Sequence, residues 1–103
     1  MYNVLFLPLA QNDLVEIVRY IANDLHNKQA ANRLADEIIK ATDMLAEFPY
    51  AYPVYTPIRS VKNEYRKISV QNYLIFYTVE EKAKTVTIAR VIYAKRDYDK
   101  LIK

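Results

Sequence analysis

The sequence predicts an α+β fold in which one strand and an antiparallel helical hairpin precede a three-stranded antiparallel meander. Between residues 9 and 47, apolar residues recur every three or four positions, as on one face of an amphipathic helix. Between residues 65 and 93, three runs rich in β-branched and aromatic residues are separated by short polar segments, as in strands joined by hairpins. The expected order of elements is β-α-α-β-β-β, followed by a short C-terminal helix or tail.

The composition is that of a single globular domain, residues 1–103, which needs no disulfide or metal to fold. There is no cysteine and only one histidine, His26, so thiol chemistry and a histidine-rich metal site are excluded. Glycine is absent, which rules out the glycine-rich loops that bind phosphates. We therefore expect no metal and no cofactor. Nothing near Met1 resembles a signal peptide and no run approaches the roughly 20 apolar residues of a membrane span, so we expect a soluble, cytoplasmic protein with no membrane contact.

Charge is distributed unevenly along the chain. Residues 1–57 contain four Lys/Arg against seven Asp/Glu, a balance of −3, whereas residues 58–103 contain eleven against five, a balance of +6. The basic half coincides with the predicted meander. This pattern favours an anionic partner, either nucleic acid or an acidic protein segment, although a solvated strand face with a lysine-rich tail explains it equally well.

The first half of the chain is expected to form one strand and two helices. The strand, about Tyr2–Leu7, is nearly all apolar, so we expect both of its faces to be covered. The helices are predicted from about Leu9 to Leu25 and from about Lys28 to Glu47, and the short loop between them makes an αα-hairpin. The proline-rich connection Phe48–Ser60 follows. Its tyrosines, which either stack on bases or cover the end of the core, are Tyr50, Tyr52 and Tyr55.

The meander is predicted as strands Tyr65–Val70, Tyr73–Val79 and Thr85–Tyr93. The middle strand carries apolar residues on both sides, so we expect it to be central. In a chain without glycine, Asn72 is the best candidate for a left-handed turn residue. In the last strand, strict alternation groups Val86, Ile88, Arg90 and Ile92 opposite Thr87, Ala89, Val91 and Tyr93.

Four sequence phrases, in this order, carry a family resemblance. They are Ala10-x-x-Asp13-Leu14-x-x-Ile17-x-x-Tyr20-Ile21, Leu45-x-x-Phe48-Pro49, Tyr65-Arg66-x-Ile68-x-Val70-x-Asn72-Tyr73-x-Ile75-x-Tyr77 and Val86-x-Ile88-x-Arg90-Val91-Ile92-Tyr93-x-x-Arg96-Asp97. Together they cover nearly the whole chain, and the sequence resembles the RelE/ParE superfamily of type II toxin–antitoxin toxins. The resemblance implies a small toxin silenced by a cognate antitoxin, whose target is either mRNA on the ribosome or DNA gyrase. An acidic, partly disordered antitoxin segment is expected to fold across the apolar and cationic sheet surface.

The ribonuclease members would need a specific set of groups here. RNA cleavage by 2′-OH attack requires a base for the 2′-OH proton, cations on the scissile phosphate and an acid for the leaving 5′-oxygen, but no metal. If the chain is an enzyme, we therefore expect a metal-independent endoribonuclease. The candidates are Glu64 or Lys67 as base, Arg66, Arg90 or Arg96 on the phosphate, and Tyr93 or Tyr98 as acid.

The sequence departs from the ribonuclease members in two places. They commonly carry an arginine directly after the tyrosine of the central strand, where this chain has Leu74, and many have a histidine or tyrosine close to the C-terminus, where this chain has no histidine. The ParE-like members lack a complete catalytic set and act by binding gyrase, although their usual histidine is Tyr93 here. The resemblance favours a ParE-like toxin that inhibits DNA gyrase. The alternatives are a ribosome-dependent mRNA endoribonuclease and a non-toxic degenerate binding domain.

The residues expected to bind the target lie on or after the strands. Arg66 and Arg90 sit among apolar strand positions, where a structural arginine with its own partner is an equal explanation. The overall expectation is that the helices cover one sheet face and that guanidinium and phenol groups gather on the other. The target-binding candidates are Arg66, Arg90, Tyr93, Lys95 and Arg96.

Overall fold

The structure, a computed structural model, describes residues 1–56 and 63–102 and has the α+β architecture that the sequence predicts. Residues 57–60 of the predicted proline-rich connection lie outside the described residues, as does Lys103. The order of elements is also as predicted. They are β1 Asn3–Phe6, α1 Pro8–Arg19, α2 Lys28–Asp43, β2 Arg66–Val70, β3 Tyr73–Glu80, β4 Thr85–Tyr93 and the short helix α3 Tyr98–Leu101.

The four strands form one mixed sheet in the order β1-β4-β3-β2. The β2–β3 and β3–β4 pairs are antiparallel, whereas β1 pairs with β4 in parallel. The long helical excursion between β1 and the meander permits this parallel pairing, which a hairpin cannot make. β1 is an edge strand whose side chains alternate between exposed and half-buried, so the expectation that both its faces are covered was wrong. The central place of β3 is confirmed, with Leu74, Ile75, Phe76 and Tyr77 all buried.

The helical hairpin forms as its apolar spacing predicts, but each helix is followed by a turn of another helix type. Pro8 begins α1, where its missing N–H costs no hydrogen bond. After Arg19 the helix continues as a π-helical turn over Tyr20–Asp24. Asn27 then caps α2 by accepting a hydrogen bond from the backbone N–H of Ala30 at 3.0 Å. A π-helical turn is rare and frequently lies near a functional site.

The sheet carries an apolar cluster on each face. The helix-side core joins α1 and α2 to the sheet through residues such as Leu34, Ile38, Ile75, Tyr77 and Ile88. On the opposite face, a second cluster is covered by the C-terminal segment and by Tyr55. This face is therefore not the open cationic surface that the sequence predicts. The buried members of this second-face cluster are Tyr65, Leu74, Phe76, Ala89, Ile92 and Ile102.

A β-bulge interrupts the pairing of β3 with β4. Tyr77 pairs with Ile88, but the preceding residue, Phe76, pairs with Arg90, so Ala89 is the extra residue. Strict alternation along β4 was therefore the wrong prediction. Ile88 lies in the helix-side core, and beyond the bulge it is Val91, not Ile92, that returns to it.

The β2–β3 turn takes its left-handed residue one position earlier than predicted. Gln71 has φ 52°, and Asn72 is not among the residues with positive φ, so the choice of Asn72 was wrong. The carbonyl of Asn72 instead accepts a hydrogen bond from the N–H of Ala94 at 2.8 Å. The side chain of Gln71 donates to Glu37 of α2 at 2.5 Å. Both contacts hold the turn against its neighbours.

Candidate target-binding cleft

A large cavity lies between the C-terminal end of α1 with its π-helical turn and the sheet edge formed by the β2–β3 turn and the end of β4. Its volume is about 640 Å³. Tyr20 projects from the π-helical turn, and the register partners Tyr73 and Tyr93 come from the start of β3 and the end of β4. We call this cavity the tyrosine cleft; it is lined by Tyr20, Tyr73 and Tyr93 together with Asp13, Glu16 and Arg96.

The three tyrosines of the cleft lie close to one another. The ring centroids of Tyr73 and Tyr93 are 5.6 Å apart, with the rings tilted by 52°. Burial raises the pKa of the Tyr73 phenol above its usual value, and the neighbouring Tyr93 and Tyr20 phenols raise it further. Tyr20 is 50% exposed and Tyr93 37% exposed, so both rings are accessible from the cleft.

One wall of the tyrosine cleft is fixed by an ion pair between α1 and β4. Arg90 donates to the Asp13 carboxylate from Nε at 2.8 Å and from Nη2 at 3.0 Å. The backbone N–H of Val91, which follows the bulge, donates to the same carboxylate at 2.9 Å. The side chains are only 14% exposed for Arg90 and 10% for Asp13. The Asp13 contact raises the pKa of the Arg90 guanidinium above its usual range.

Arg66 lies away from the tyrosine cleft, beside the connection that precedes β2. Its Nη1 donates to the backbone carbonyl of Tyr52 at 2.6 Å, and its guanidinium lies 5.0 Å from the centroid of the Tyr50 ring. Arg66 and the exposed Glu64 line a smaller cavity of about 240 Å³. Tyr52 packs against the helix-side core and Tyr55 against the second-face cluster, so these two tyrosines cover the ends of the core.

The second sheet face brings together three of the candidate ribonuclease residues. Lys67 Nζ lies 5.2 Å from the centroid of the Tyr55 ring and 5.5 Å from that of Tyr98. Arg96 lines a cavity of about 290 Å³ that Tyr98 also lines. The position at which ribonuclease members carry an arginine is Leu74, which is 6% exposed and packs in the second-face cluster with Ile102.

The predicted site residues thus fall into separate groups. Tyr93 and Arg96 line the tyrosine cleft, and Arg90 is held beside it by Asp13. Lys95 is exposed in the turn after β4. Lys67 and Tyr98 share the second face, where Arg96 also reaches, whereas Glu64 and Arg66 lie together at a third place.

Sequence reasoning did not assign four residues of the tyrosine cleft to the site: Asp13, Glu16, Tyr20 and Tyr73. Tyr20 lies three residues after Ile17 and so borders the apolar stripe of α1, which is the signal that would have marked it. The role of Asp13 could not be predicted from its sequence neighbours, because its partner Arg90 is 77 residues away.

The described ranges, 1–56 and 63–102, lack two further features. They contain no group of three or more His, Cys, Asp or Glu residues placed to hold a metal ion. None of their helices combines the length and the apolarity that crossing a membrane requires.

The fold resembles toxins of the RelE/ParE class. The structure superimposes on a chain of the chromosomal ParDE toxin–antitoxin system from P. aeruginosa with a TM-score of 0.72, at 15% identity, over 92% of this chain and 98% of that one. For the toxin–antitoxin complex RelBE2 from Mycobacterium tuberculosis the TM-score is 0.64, at 19% identity, over 89% and 96%. For the archaeal RelE–RelB complex from Pyrococcus horikoshii OT3 it is 0.61, at 15% identity, over 92% and 97%.

The family follows from the sequence itself. Residues 4–98 match the family described as "ParE toxin of type II toxin-antitoxin system, parDE". The chain therefore belongs to the ParE toxin family, and the predicted membership of the RelE/ParE superfamily is confirmed. A comparison with curated protein sequences gives no significant match.

Proposed function

We propose that this toxin acts by binding and inhibiting DNA gyrase and that it does not cleave RNA. The observation that carries the proposal is Leu74. A ribonuclease needs cations around the scissile phosphate, and the ribonuclease members that this chain resembles commonly carry one of them at this position. Leu74 is 6% exposed and packs with Ile102 of the C-terminal segment, so it offers no charge and is not open to a phosphate.

The other arginines support the same proposal. Arg90 forms an ion pair with Asp13. Arg66 donates to the carbonyl of Tyr52 and lies against the ring of Tyr50. Arg96 and Lys95 remain as exposed cations at the end of β4, next to Tyr93. We assign target binding to Tyr93, Lys95 and Arg96, and structural roles to Arg90, beside the cleft, and to Arg66, which lies away from it.

A second candidate function is a ribosome-dependent mRNA endoribonuclease, and one arrangement favours it. Lys67, Tyr98 and Arg96 would supply a base, an acid and a phosphate-binding cation on the second face. This set has a single phosphate-binding cation, Arg96, because Leu74 takes the place of an arginine that ribonuclease members commonly carry. We rank it second for that reason.

The partner proposed for the chain is a cognate antitoxin. Two of the similar structures are described as complexes of RelE-type toxins with their antitoxins. The +6 balance of residues 58–103 suits an acidic antitoxin segment, which would neutralise these cations while burying apolar surface. Co-purification with the product of the neighbouring open reading frame tests this proposal. Failure to form a complex at both low and moderate salt would contradict it.

Induction of the chain in growing bacteria separates the candidate functions. Gyrase inhibition predicts filamentous cells and accumulated DNA breaks while translation continues. Rapid loss of translation with cleaved mRNA would instead establish the ribonuclease, and unchanged growth at confirmed expression would indicate a non-toxic binding domain. Arg96→Ala is expected to abolish growth inhibition, whereas Arg33→Ala, which removes an exposed arginine from α2, is the matched control.

A further inference from the structure

Four of the tyrosines outside the cleft use their hydroxyl groups in hydrogen bonds. Tyr77 donates to the carbonyl of Pro49 at 2.8 Å, Tyr55 donates to Asp99, and Tyr2 and Tyr50 donate to Glu81. By contrast, no hydrogen bond to the phenol oxygen of any of the three cleft tyrosines is present within residues 1–56 and 63–102. The cleft therefore presents three aromatic rings with free hydroxyl groups to whatever enters it. These residues are Tyr20, Tyr73 and Tyr93.

The volume and the side-chain lining of the tyrosine cleft suit a small planar ligand. About 640 Å³ falls within the range of roughly 300–1,000 Å³ typical of small-molecule sites. Ile17, Ile21 and Val91 add apolar side chains to the lining. The amide side chain of Asn72 lies at the β2–β3 turn that closes one end. Apolar and aromatic side chains with a few placed polar groups are the usual lining of such a site. In the tyrosine cleft the polar side chains besides the tyrosines are those of Asp13, Glu16, Gln71, Asn72 and Arg96.

Two charged residues of opposite sign also line the tyrosine cleft. Glu16 comes from α1 and Arg96 from the turn after β4, and both side chains are exposed. Neither forms an ion pair with any residue in the part of the chain that the structure describes. Asp13, the remaining charged residue of the lining, is already neutralised by Arg90. A ligand that satisfies both free charges must carry an anionic group for Arg96 and a hydrogen-bond donor or a positive charge for Glu16.

We propose that the tyrosine cleft is a nucleotide-binding site, in which a base stacks on Tyr20 and Tyr93 while Arg96 binds its phosphate. Stacking on aromatic rings and charge pairing with phosphate are the two interactions by which proteins bind unpaired nucleotides. The exposed Lys95, adjacent to Arg96 in the chain, adds positive charge near the cleft without being part of its lining.

Glu16 gives the site a preference among bases. A carboxylate accepts hydrogen bonds and donates none, so it favours a base edge that presents N–H groups. Guanine presents two adjacent donors, N1–H and the exocyclic amino group, and can pair with both carboxylate oxygens. Uracil presents one N–H flanked by carbonyl oxygens, which the carboxylate repels. The expected order of affinity therefore places guanine nucleotides above uracil nucleotides.

The experiment is a titration of the purified full chain with GMP, UMP and fluorescein-labelled tetranucleotides of DNA and RNA, followed by tyrosine emission and by fluorescence anisotropy. Saturable binding with GMP tighter than UMP is expected. Equal affinity for GMP and a G-containing tetranucleotide would identify a free nucleotide as the ligand. Much tighter binding of the tetranucleotide would identify a single strand. Both results support the site.

Four variants locate the binding. Tyr20→Ala removes a half-exposed ring and is expected to weaken binding by about 5- to 160-fold, the range for loss of one stacking ring. Arg96→Ala is expected to weaken binding and to reduce its salt dependence. Glu16→Gln is expected to remove the preference for GMP over UMP. Asp36→Asn, on the exposed side of α2, is the matched control and should change nothing.

Three results would overturn the proposal. They are no saturable binding of any probe, binding that Tyr20→Ala and Arg96→Ala leave unchanged, and an apolar peptide that occupies the cleft while GMP and the tetranucleotides do not. The proposal shares Tyr93 and Arg96 with the proposed gyrase-binding surface but does not require that gyrase be the target. A Tyr20→Ala chain that still inhibits gyrase but no longer binds nucleotide would separate the two functions.

Discussion

The carboxylate of Asp13 binds both the side chain of Arg90, at 2.8 Å and 3.0 Å, and the backbone N–H of the residue that follows it, at 2.9 Å. The bulge at Ala89 shifts the pairing of β4 with β3 by one residue. The N–H of Val91, just after the bulge, donates to the carboxylate of Asp13. By strict alternation Tyr93 would not share a face with Ile88. With the bulge, Val91 returns to the helix-side core and Tyr93 lines the tyrosine cleft.

Asp13→Ala should destabilise the protein because it leaves a largely buried guanidinium and an amide N–H without their acceptor. The expected loss in free energy of unfolding is about 3 kcal/mol, measured by urea denaturation. Glu16→Ala, three residues further along the same helix, removes an exposed carboxylate and should change stability by about 0.5 kcal/mol or less. Equal stability of the two variants would contradict the structural role assigned to Asp13.

Leu74→Arg places a guanidinium where the ribonuclease members carry one. In this fold the side chain is buried against Ile102, so we expect a loss of about 3 kcal/mol in the free energy of unfolding and greater protease sensitivity of residues 98–102. Leu74→Met keeps the volume and apolar character and should cost less than about 1.5 kcal/mol. The measurements are urea denaturation and mRNA integrity in a translating extract. Cleaved mRNA with Leu74→Arg would show that only this cation was missing.

Stability at acid pH should depend on Glu81. Hydrogen bonds from Lys84, Tyr50 and Tyr2 lower the pKa of the Glu81 carboxyl from 4.5 to about 2. A lowered pKa in the folded state means that the contribution to stability is present above pH 4.5 and is lost as the pH falls toward 2. Urea denaturation between pH 2 and pH 6 should therefore show a smaller loss of stability with acid in Glu81→Gln than in the unaltered chain. Parallel pH profiles would be the contrary result.

The elements of the fold were predictable because their signals are local. The apolar stripe from Leu14 to Leu25 predicted the first helix, and the two-sided apolar character of β3 predicted its central place. The bulge at Ala89 was not predictable, because it depends on Asp13 to accept the hydrogen bond of a displaced N–H. The turn at Gln71 was missed for a similar reason. The carbonyl of Asn72 bonds to Ala94 and the Gln71 side chain bonds to Glu37, contacts that sequence neighbours do not reveal.

The candidate site was predictable only in part. Tyr93 and Arg96 were identified from the sequence, and they lie together in the tyrosine cleft. The other wall of the cleft comes from a π-helical turn, which an uninterrupted 3.6-residue pattern does not signal. The expectation of a single open cationic face did not allow for the C-terminal segment. Its residue Ile102 is a buried member of the second-face cluster, and Tyr98 and Leu101 pack against that cluster. The cations therefore do not share one open face.

Growth inhibition should depend on the end of β4 and not on the arginine beside β2. Tyr93→Ala is expected to reduce the fraction of cells that stop dividing after induction, because Tyr93 is 37% exposed in the cleft. Lys95→Ala should have a smaller effect in the same direction, since Lys95 adds a second exposed cation. Arg66→Lys keeps the charge near Tyr52 and should remain inhibitory. An inactive Arg66→Lys chain together with an active Tyr93→Ala chain, both expressed at normal levels, would place the target surface elsewhere.

Supercoiling of relaxed plasmid by purified DNA gyrase, with and without the purified chain, tests the central claim most directly. The account predicts that the unaltered chain inhibits supercoiling, that Arg33→Ala inhibits equally, and that Arg96→Ala inhibits at least tenfold less at the same concentration. Full supercoiling in the presence of a folded chain that cleaves mRNA on ribosomes would contradict it.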